Sequence, residues 1–318
     1  MKKLRLIGLI VLGLVVILGI VAYLVIPGIL ANTFLYPNRQ TLVKNPGDYG
    51  LSYEDVTITT DDGVALACWL MKGTSDGVII IGHPATFTRY GYSLESEGIA
   101  KSGYHRDVEF IPAAKHLVEA GYSVLMVDQR NHGKSGASPG DGPHDPVEAY
   151  RDLIAAVKYV ADHPDLAGKD IGLLSFCQSS VVSMVAMSKE PGFLQQAGVK
   201  ALVAVQPISI EIFYKQYGLP DWLVNKIKGV YSDKGLDIKD QDPVLYAPTI
   251  FVPTLFVQNV NDPWSDMEHS RAIYDAIPTE KEAIWLDEEE HHRFLTYNWF
   301  NDHPGPLLDF LGRHLGER

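Results

Sequence analysis

The sequence predicts an α/β domain, a mainly parallel sheet with helices on both faces, behind an apolar N-terminal helix. Three observations lead there. Residues 6–25 (LIGLIVLGLVVILGIVAYLV) carry no charge and no polar side chain beyond Tyr23. Past residue 50, short apolar runs alternate with segments of helical period. A hairpin signal, with Asp61-Asp62-Gly63 as its turn, precedes that alternation. A hairpin followed by alternating strands and helices demands a mainly parallel sheet covered on both faces.

The first segment has the length of a membrane span, since about 20 apolar residues cross a bilayer as a helix. Lys2, Lys3 and Arg5 precede it. Positive charge tends to stay cytoplasmic, so the rest of the chain is expected on the extracytoplasmic side. The rival is a cleaved signal peptide, whose apolar core runs about 7–15 residues. No clear small-x-small cleavage site lies near Ala31, and retention or cleavage stays open. Residues 1–30 therefore read as a membrane anchor, 31–50 as a neck lying along the domain, and 51–318 as one large domain. There is no second apolar span, no repeat and no low-complexity run.

The formal charge is -12. Removing Lys2, Lys3 and Arg5 from the 27 basic residues leaves 24 against 39 acidic ones, a formal charge of -15. Such a surface repels phosphate backbones, which excludes nucleic acid as a partner class. It equally disfavours electrostatic capture by anionic lipid. No Cys/His spacing suggests structural zinc. Neither G-x-G-x-x-G nor a P-loop is present, so no cofactor is implied.

Taken in order, residues 53–59 and 64–71 read as the two strands of the hairpin. The run 78–81 is continuously apolar, as expected for a strand buried on both faces. A helix is predicted over 108–120, stopping at Gly121, and a strand over 124–127. A helix opens at Asp145 and runs to about residue 161. Then come a strand over 171–174, a helix over 178–187, and strands over 201–205 and 253–257. A helix over 267–276, a strand over 283–286 and a helix over 306–314 complete the pattern. Two connections, 85–107 and about 208–249, are too long for linkers; long ordered loops of this kind are usually lids or binding loops. The second contains Phe213, Tyr214, Tyr217, Trp222 and Tyr231. That is enough apolar surface to cap a pocket, so it reads as a helical lid insertion; the alternative is a decoration that simply packs on the sheet.

In parallel sheets ligands bind outside the carboxyl ends of the strands. The segment Gly172-Leu173-Leu174-Ser175-Phe176-Cys177-Gln178-Ser179-Ser180 passes from strand to helix within a few residues there. A tight strand-to-helix turn crowds the residues two before and two after a nucleophile, so both must be small. Cys177 meets this test with Ser175 and Ser179. Ser175 fails on Leu173, and Ser179 fails on β-branched Val181. A lone cysteine is more often a small buried hydrophobe; the turn is what singles this one out.

Ser175-x-Cys177-x-Ser179 resembles the G-x-S-x-G elbow of the α/β hydrolases, with cysteine in place of serine and serine in place of both glycines. Asp128-Gln129-Arg130-Asn131-His132-Gly133-Lys134-Ser135 is similar to their D-x-R-G-H-G-x-S segment, with Asn131 where glycine is usual. His83-Pro84-Ala85 is similar to their H-G-x oxyanion segment, with Pro84 at the glycine position. The resemblance covers about residues 50–315 and implies the α/β-hydrolase fold. It implies Asp262, in Asn261-Asp262-Pro263, as the acid, with Asp266 and Asp240 in reserve. It implies His292, in His292-Arg293-Phe294, as the base, leaving its neighbour His291 as a surface residue. The order nucleophile, acid, base is that of the family. A cysteine at the elbow is similar to dienelactone hydrolases and to polyhydroxyalkanoate synthases. The family's strand order puts three strand spacings, about 14 Å, between the positions of Cys68 and Cys177. A disulfide needs Cα atoms within about 7 Å. Cys177 is therefore expected to be a free thiol.

These residue types suit acyl chemistry. Only a thiolate attacks well, and a helix N-terminus with a nearby imidazole favours it. Histidine takes the thiol proton and later returns it to the leaving group. A carboxylate fixes the histidine tautomer. Backbone N–H groups hold the oxyanion, worth about 3–4 kcal/mol per donor. The N–H of Gln178 is the first expected donor. Pro84 has no N–H, so Ala85 is the expected second, with Thr86 behind it. His83, His132 and Arg130 read as loop braces rather than reacting groups.

The expected function is hydrolysis of an ester, thioester or lactone, on a small acyl substrate, through an acyl-cysteine. An acyltransferase with the same triad is the first alternative. A membrane-tethered binding protein that kept the fold and lost catalysis is the second. Peptides are harder substrates because their amine leaving group is poor.

Overall fold

The computed structural model describes residues 2–97, 106–287 and 293–316. The strands are β1 (Glu54–Thr59), β2 (Ala65–Met71), β3 (Gly77–Gly82), β4 (Gly91–Tyr92), β5 (Val108–Glu109), β6 (Ser123–Val127), β7 (Asp170–Phe176), β8 (Val199–Val205), β9 (Thr254–Asn259) and β10 (Lys281–Leu286). The helices are α1 (Lys2–Leu35), α2 (Ile111–Glu119), α3 (Tyr150–Asp162), α4 (Gln178–Lys189), α5 (Pro191–Gln196), α6 (Ile210–Gln216), α7 (Asp221–Ser232), α8 (Met267–Ala276), α9 (Arg293–Asp302) and α10 (Gly305–His314).

Among the described residues, eight strands form one sheet in the order β1-β2-β6-β3-β7-β8-β9-β10. β1 and β2 pair antiparallel, as do β2 and β6; the other pairings are parallel. In β3, Val78 and Ile80 join one apolar cluster while Ile79 and Ile81 join the other. That period of two, with both faces buried, is why the run reads as continuously apolar. Helices α2, α9 and α10 cover one face, and α3, α4, α5 and α8 cover the other. The expected mainly parallel sheet with helices on both faces is therefore present. Cys68 and Cys177 are both free.

The structure differs from the sequence reading at several element ends. The helix expected over 108–120 starts at Ile111, because Val108–Glu109 pairs with Gly91–Tyr92 as a small ribbon. Pro112 sits in its first turn, where a missing N–H costs nothing. The helix expected from Asp145 starts at Tyr150. Asp145 instead makes a turn, its Oδ1 accepting from Val147 N–H at 3.1 Å and from Gln241 Nε2 at 3.1 Å. Helix α9 falls where no element was expected. The apolar helix is longer than residues 6–25 and runs five residues into the segment read as neck. Later in that segment Arg39 donates to Ser135 O, and Lys44 and Tyr49 both reach Glu109.

Arg130 ties the sheet's edge loop to α3. Its backbone N–H and Nε donate to Asp152 at 2.8 Å each, and its two terminal nitrogens take Asp62 bidentately at 2.7 and 3.0 Å. Arg130 and Asp152 are both buried. Removing one partner of a buried pair leaves an uncompensated charge. Arg130→Ala should therefore lower the unfolding free energy in urea by about 3–5 kcal/mol; a loss below about 1 kcal/mol would show that the pair is not holding the loop.

Candidate active site

Cys177 occupies the turn between β7 and α4 with φ 52° and ψ -111°. A non-glycine residue with positive φ is strained and persists only where its surroundings over-determine it. Here they do. Cys177 N–H donates to Val205 O at 2.7 Å, extending the ladder to β8. Ser179 Oγ accepts from Phe176 N–H at 2.7 Å and donates to Phe176 O at 3.0 Å. Ser175 Oγ and Ser183 Oγ lie 2.8 Å apart, and Ser180 Oγ donates to Ser175 O at 2.7 Å. A Cβ at Gly82 would sit 2.7 Å from Ser179 Cβ. Ser179 is thus kept small by the close approach of β3, and the hydroxyls of both serines are taken up in hydrogen bonds.

Asp262 follows β9 and is buried. Its Oδ1 accepts from Trp264 N–H at 3.1 Å; its Oδ2 accepts from Ser265 Oγ and, at 3.5 Å, from Gln206 Nε2. Arg293, at the start of α9, approaches Asp262 to 3.6 Å and donates to Gln206 O at 2.8 Å. His292 lies outside the described residues, as do His291 and the acidic residues 288–290. From the same helix Tyr297 lines the cavity onto which Cys177 opens. Burial holds Tyr297 well above the ordinary tyrosine range, so it remains a proton donor.

Gln178 opens α4, where first-turn N–H groups have no helical partner. Its side-chain oxygen faces His144 Nε2 at 2.8 Å. Ala85 is buried beside the same cavity. Thr86, with φ 65°, donates its N–H to His132 Nε2 at 3.1 Å, which removes it as a reserve oxyanion donor. His83 and His132 do brace loops. His83 Nε2 accepts from Gln129 N–H at 3.0 Å, and the Nδ1 atoms of His83 and His132 donate to the carbonyls of Pro84 and Arg130. Their rings stand 5.1 Å apart, and His144 lies 4.7 Å from His132. Burial pushes both His83 and His132 down to about 3, so these rings are neutral.

The thiol faces a small cavity of about 30 Å³, room for a water or two. Its walls include Phe87 and Tyr297 from the domain, Ile208 and Phe213 from the 208–249 segment, and Phe34 from α1. A larger group fits only if a wall moves. Arg293, Gln206, Tyr297 and Phe34 escaped the sequence reading. Gln206 obeys the rule that polar residues just past a strand face the site; the others show no sequence signal of their own.

No profile of a known protein family matches the chain. A thiohydrolase of Aspergillus aculeatus is 26% identical over 178 residues, 56% of this chain and 48% of that protein. The chain thus spans about half the length of the curated relative it matches. An esterase from Pyrococcus furiosus superposes with a TM-score of 0.65 at 24% identity, over 89% of this chain and 98% of its own. An α/β hydrolase from Penicillium gives 0.58 at 18% identity, covering 83% and 99%. A dienelactone hydrolase from Anabaena variabilis gives 0.54 at 14%, covering 84% and 99%. The chain has the α/β-hydrolase fold, and Cys177 and Asp262 follow the carboxyl ends of β7 and β9.

The neutral histidines give a pH test. His132 binds a proton near 6.5 in the unfolded chain but only near 3 in the fold. Between those values the unfolded chain holds the extra proton, so stability falls as pH drops through 6.5 and levels off below about 3. His132→Gln removes that term. Its unfolding free energy should fall on acidification from pH 6.5 to 4.5 by up to about 1.4 kcal/mol per pH unit less than the wild type's. Parallel slopes in urea titrations would contradict a buried neutral ring.

Proposed function

We propose that this protein is a membrane-tethered hydrolase that cleaves an ester, thioester or lactone through an acyl-Cys177 intermediate. The observation that carries the reading is the left-handed backbone of Cys177 at the strand-to-helix turn. It presents the thiol to a cavity while the flanking serines are consumed in the turn. Within this reading His292, one residue before Arg293, takes the thiol proton. The sulfur attacks the substrate carbonyl. The N–H groups of Gln178 and Ala85 hold the resulting oxyanion. Collapse breaks the bond to the alcohol or thiol, which leaves with the proton from His292. Water then attacks the acyl-cysteine with His292 again as base, releasing the carboxylate and restoring the thiol. Asp262 orients His292, and Arg293 fixes the acid's position.

The name of the thiohydrolase relative favours a thioester among these substrates. The apolar helix α1 supports a membrane tether: residues Arg5–Leu35 have the length and composition to cross a bilayer. With Lys2, Lys3 and Arg5 on the cytoplasmic side, the domain would lie on the extracytoplasmic side.

Wild-type protein mixed with activated thioesters should gain one acyl mass on Cys177 by intact-mass spectrometry. Cys177→Ala should lower turnover on the order of 10⁴-fold or more, and Asp262→Asn on the order of 10²–10⁴-fold. Ser175→Ala should retain turnover. Full activity in Cys177→Ala would end the acyl-cysteine reading.

A further inference from the structure

Helix α1 is 34 residues long, or about 51 Å. A hydrocarbon core of about 30 Å needs only about 20 of them, so roughly its last ten residues stand clear of the bilayer. Those residues are not a free stalk. Tyr23, Pro27, Ala31 and Leu35 recur every four residues and form one stripe, in which Pro27, Ala31 and Leu35 are buried. The stripe packs on the 208–249 segment, in one apolar cluster with Tyr214, Val224, Ile227 and Tyr231. Polar contacts reinforce it: Tyr214 Oη donates to Leu30 O at 3.0 Å, and His144 N–H donates to Leu35 O at 2.7 Å.

The contacts fix the direction of α7. Trp222 stacks on Tyr23 at 5.5 Å, Lys226 lies 4.6 Å from the same ring, and Lys234 lies over Tyr36. So α7 runs parallel to α1, with its first turn nearest the span. Tyr23 belongs to the last turn of the 6–25 run, which sets Trp222 at the level where hydrocarbon meets headgroups. Trp222 is 50% and Tyr217 57% exposed. Tryptophan, tyrosine and lysine together are the side chains that settle at that boundary. From there an aromatic path leads inward. Tyr217 stacks on Phe213 at 5.7 Å, Phe213 meets Phe34 at 5.2 Å, and both Phe213 and Phe34 line the cavity at Cys177.

We infer that α6 and α7 are a lid built onto the membrane helix, seated at the surface of the same leaflet, and that Cys177 receives its acyl chain from that leaflet past Phe34 and Phe213. The substrate is then a long-chain lipid ester or thioester dissolved in the bilayer. This inference rests on the proposed acyl-Cys177 chemistry and on α1 as a span. Because the domain is acidic, the seat is apolar and needs no anionic lipid.

The full chain reconstituted in phosphatidylcholine vesicles tests it. Bromine atoms on the lipid acyl chains quench tryptophans at the boundary. Of the 5 tryptophans, Trp222 should account for most of the quenching, which Trp222→Phe should abolish. The double variant Trp222→Ser, Tyr217→Ser should hydrolyse a short water-soluble thioester at the wild-type rate. On a palmitoyl thioester held in the vesicles it should lose about tenfold in rate, equivalent to about 1.4 kcal/mol of lost contact. Equal quenching in Trp222→Phe, or equal loss on both substrates, overturns the seated lid while leaving the thiol chemistry intact. Wild-type protein that fails on the short thioester as well overturns the acyl-Cys177 reading, and protein that does not partition into vesicles overturns the anchor; either result removes the inference with it.

Discussion

The site is organised by the left-handed backbone at residue 177. A side chain in that conformation costs roughly 1–3 kcal/mol, and the neighbouring strands and helix offset it. The ladder bond to Val205 holds the turn from one side, and Ser179 holds it from the other through two bonds to Phe176. Close approach of β3 forbids a Cβ at Gly82 and keeps Ser179 small. The constraint therefore reaches across adjacent strands before it reaches chemistry. It also orients the start of α4, whose first N–H groups have no partner within the helix.

The sequence displays this constraint because crowding restricts residue size, and size is visible in letters. The same holds for the sheet, since burial on both faces leaves continuous apolar runs such as that of β3. Helix α9 was hidden for a related reason. Its residues RFLTYNWFND mix buried Arg293, Phe294, Thr296, Tyr297 and Phe300 with polar positions, so no clean apolar stripe marks it. The starts of α2 and α3 were misplaced because the chain spends its preceding residues on a ribbon and on an aspartate turn. Tertiary partners decide those choices, and they leave no local period. Gln206 meets Asp262 across 56 positions, and Arg293 meets Gln206 across 87, so the cluster forms only through folding.

The departures from the family pattern have structural uses. Asn131 stands at φ 67°, a conformation asparagine tolerates better than most residues. Its amide then works as glycine could not: Nδ2 donates to Gly142 O at 2.9 Å, and Oδ1 accepts from Ser138 N–H and Oγ at 2.8 Å each. Gly133, by contrast, keeps its glycine because a Cβ there would strike the Asp128 carboxylate. Pro84 lacks an N–H, but its carbonyl accepts from His83 and from Phe87.

The cavity's walls differ in how firmly they are held. Phe87 is buried among Tyr92, Phe294 and Tyr297, and Tyr297 is packed against Phe176 as well. Moving either ring opens the main apolar cluster of the sheet. Phe34 and Phe213 are only partly buried; Phe34 packs on a separate, smaller cluster shared by α1, α6 and α7, and Phe213 bridges that cluster and the main one. Elements with fewer buried apolar contacts open at lower free energy. Access to the thiol is therefore cheapest on the side of α1, where the chain also carries its longest apolar surface. The wall easiest to move and the longest apolar surface are the same part of the molecule, which couples the opening of the site to the position of the first helix.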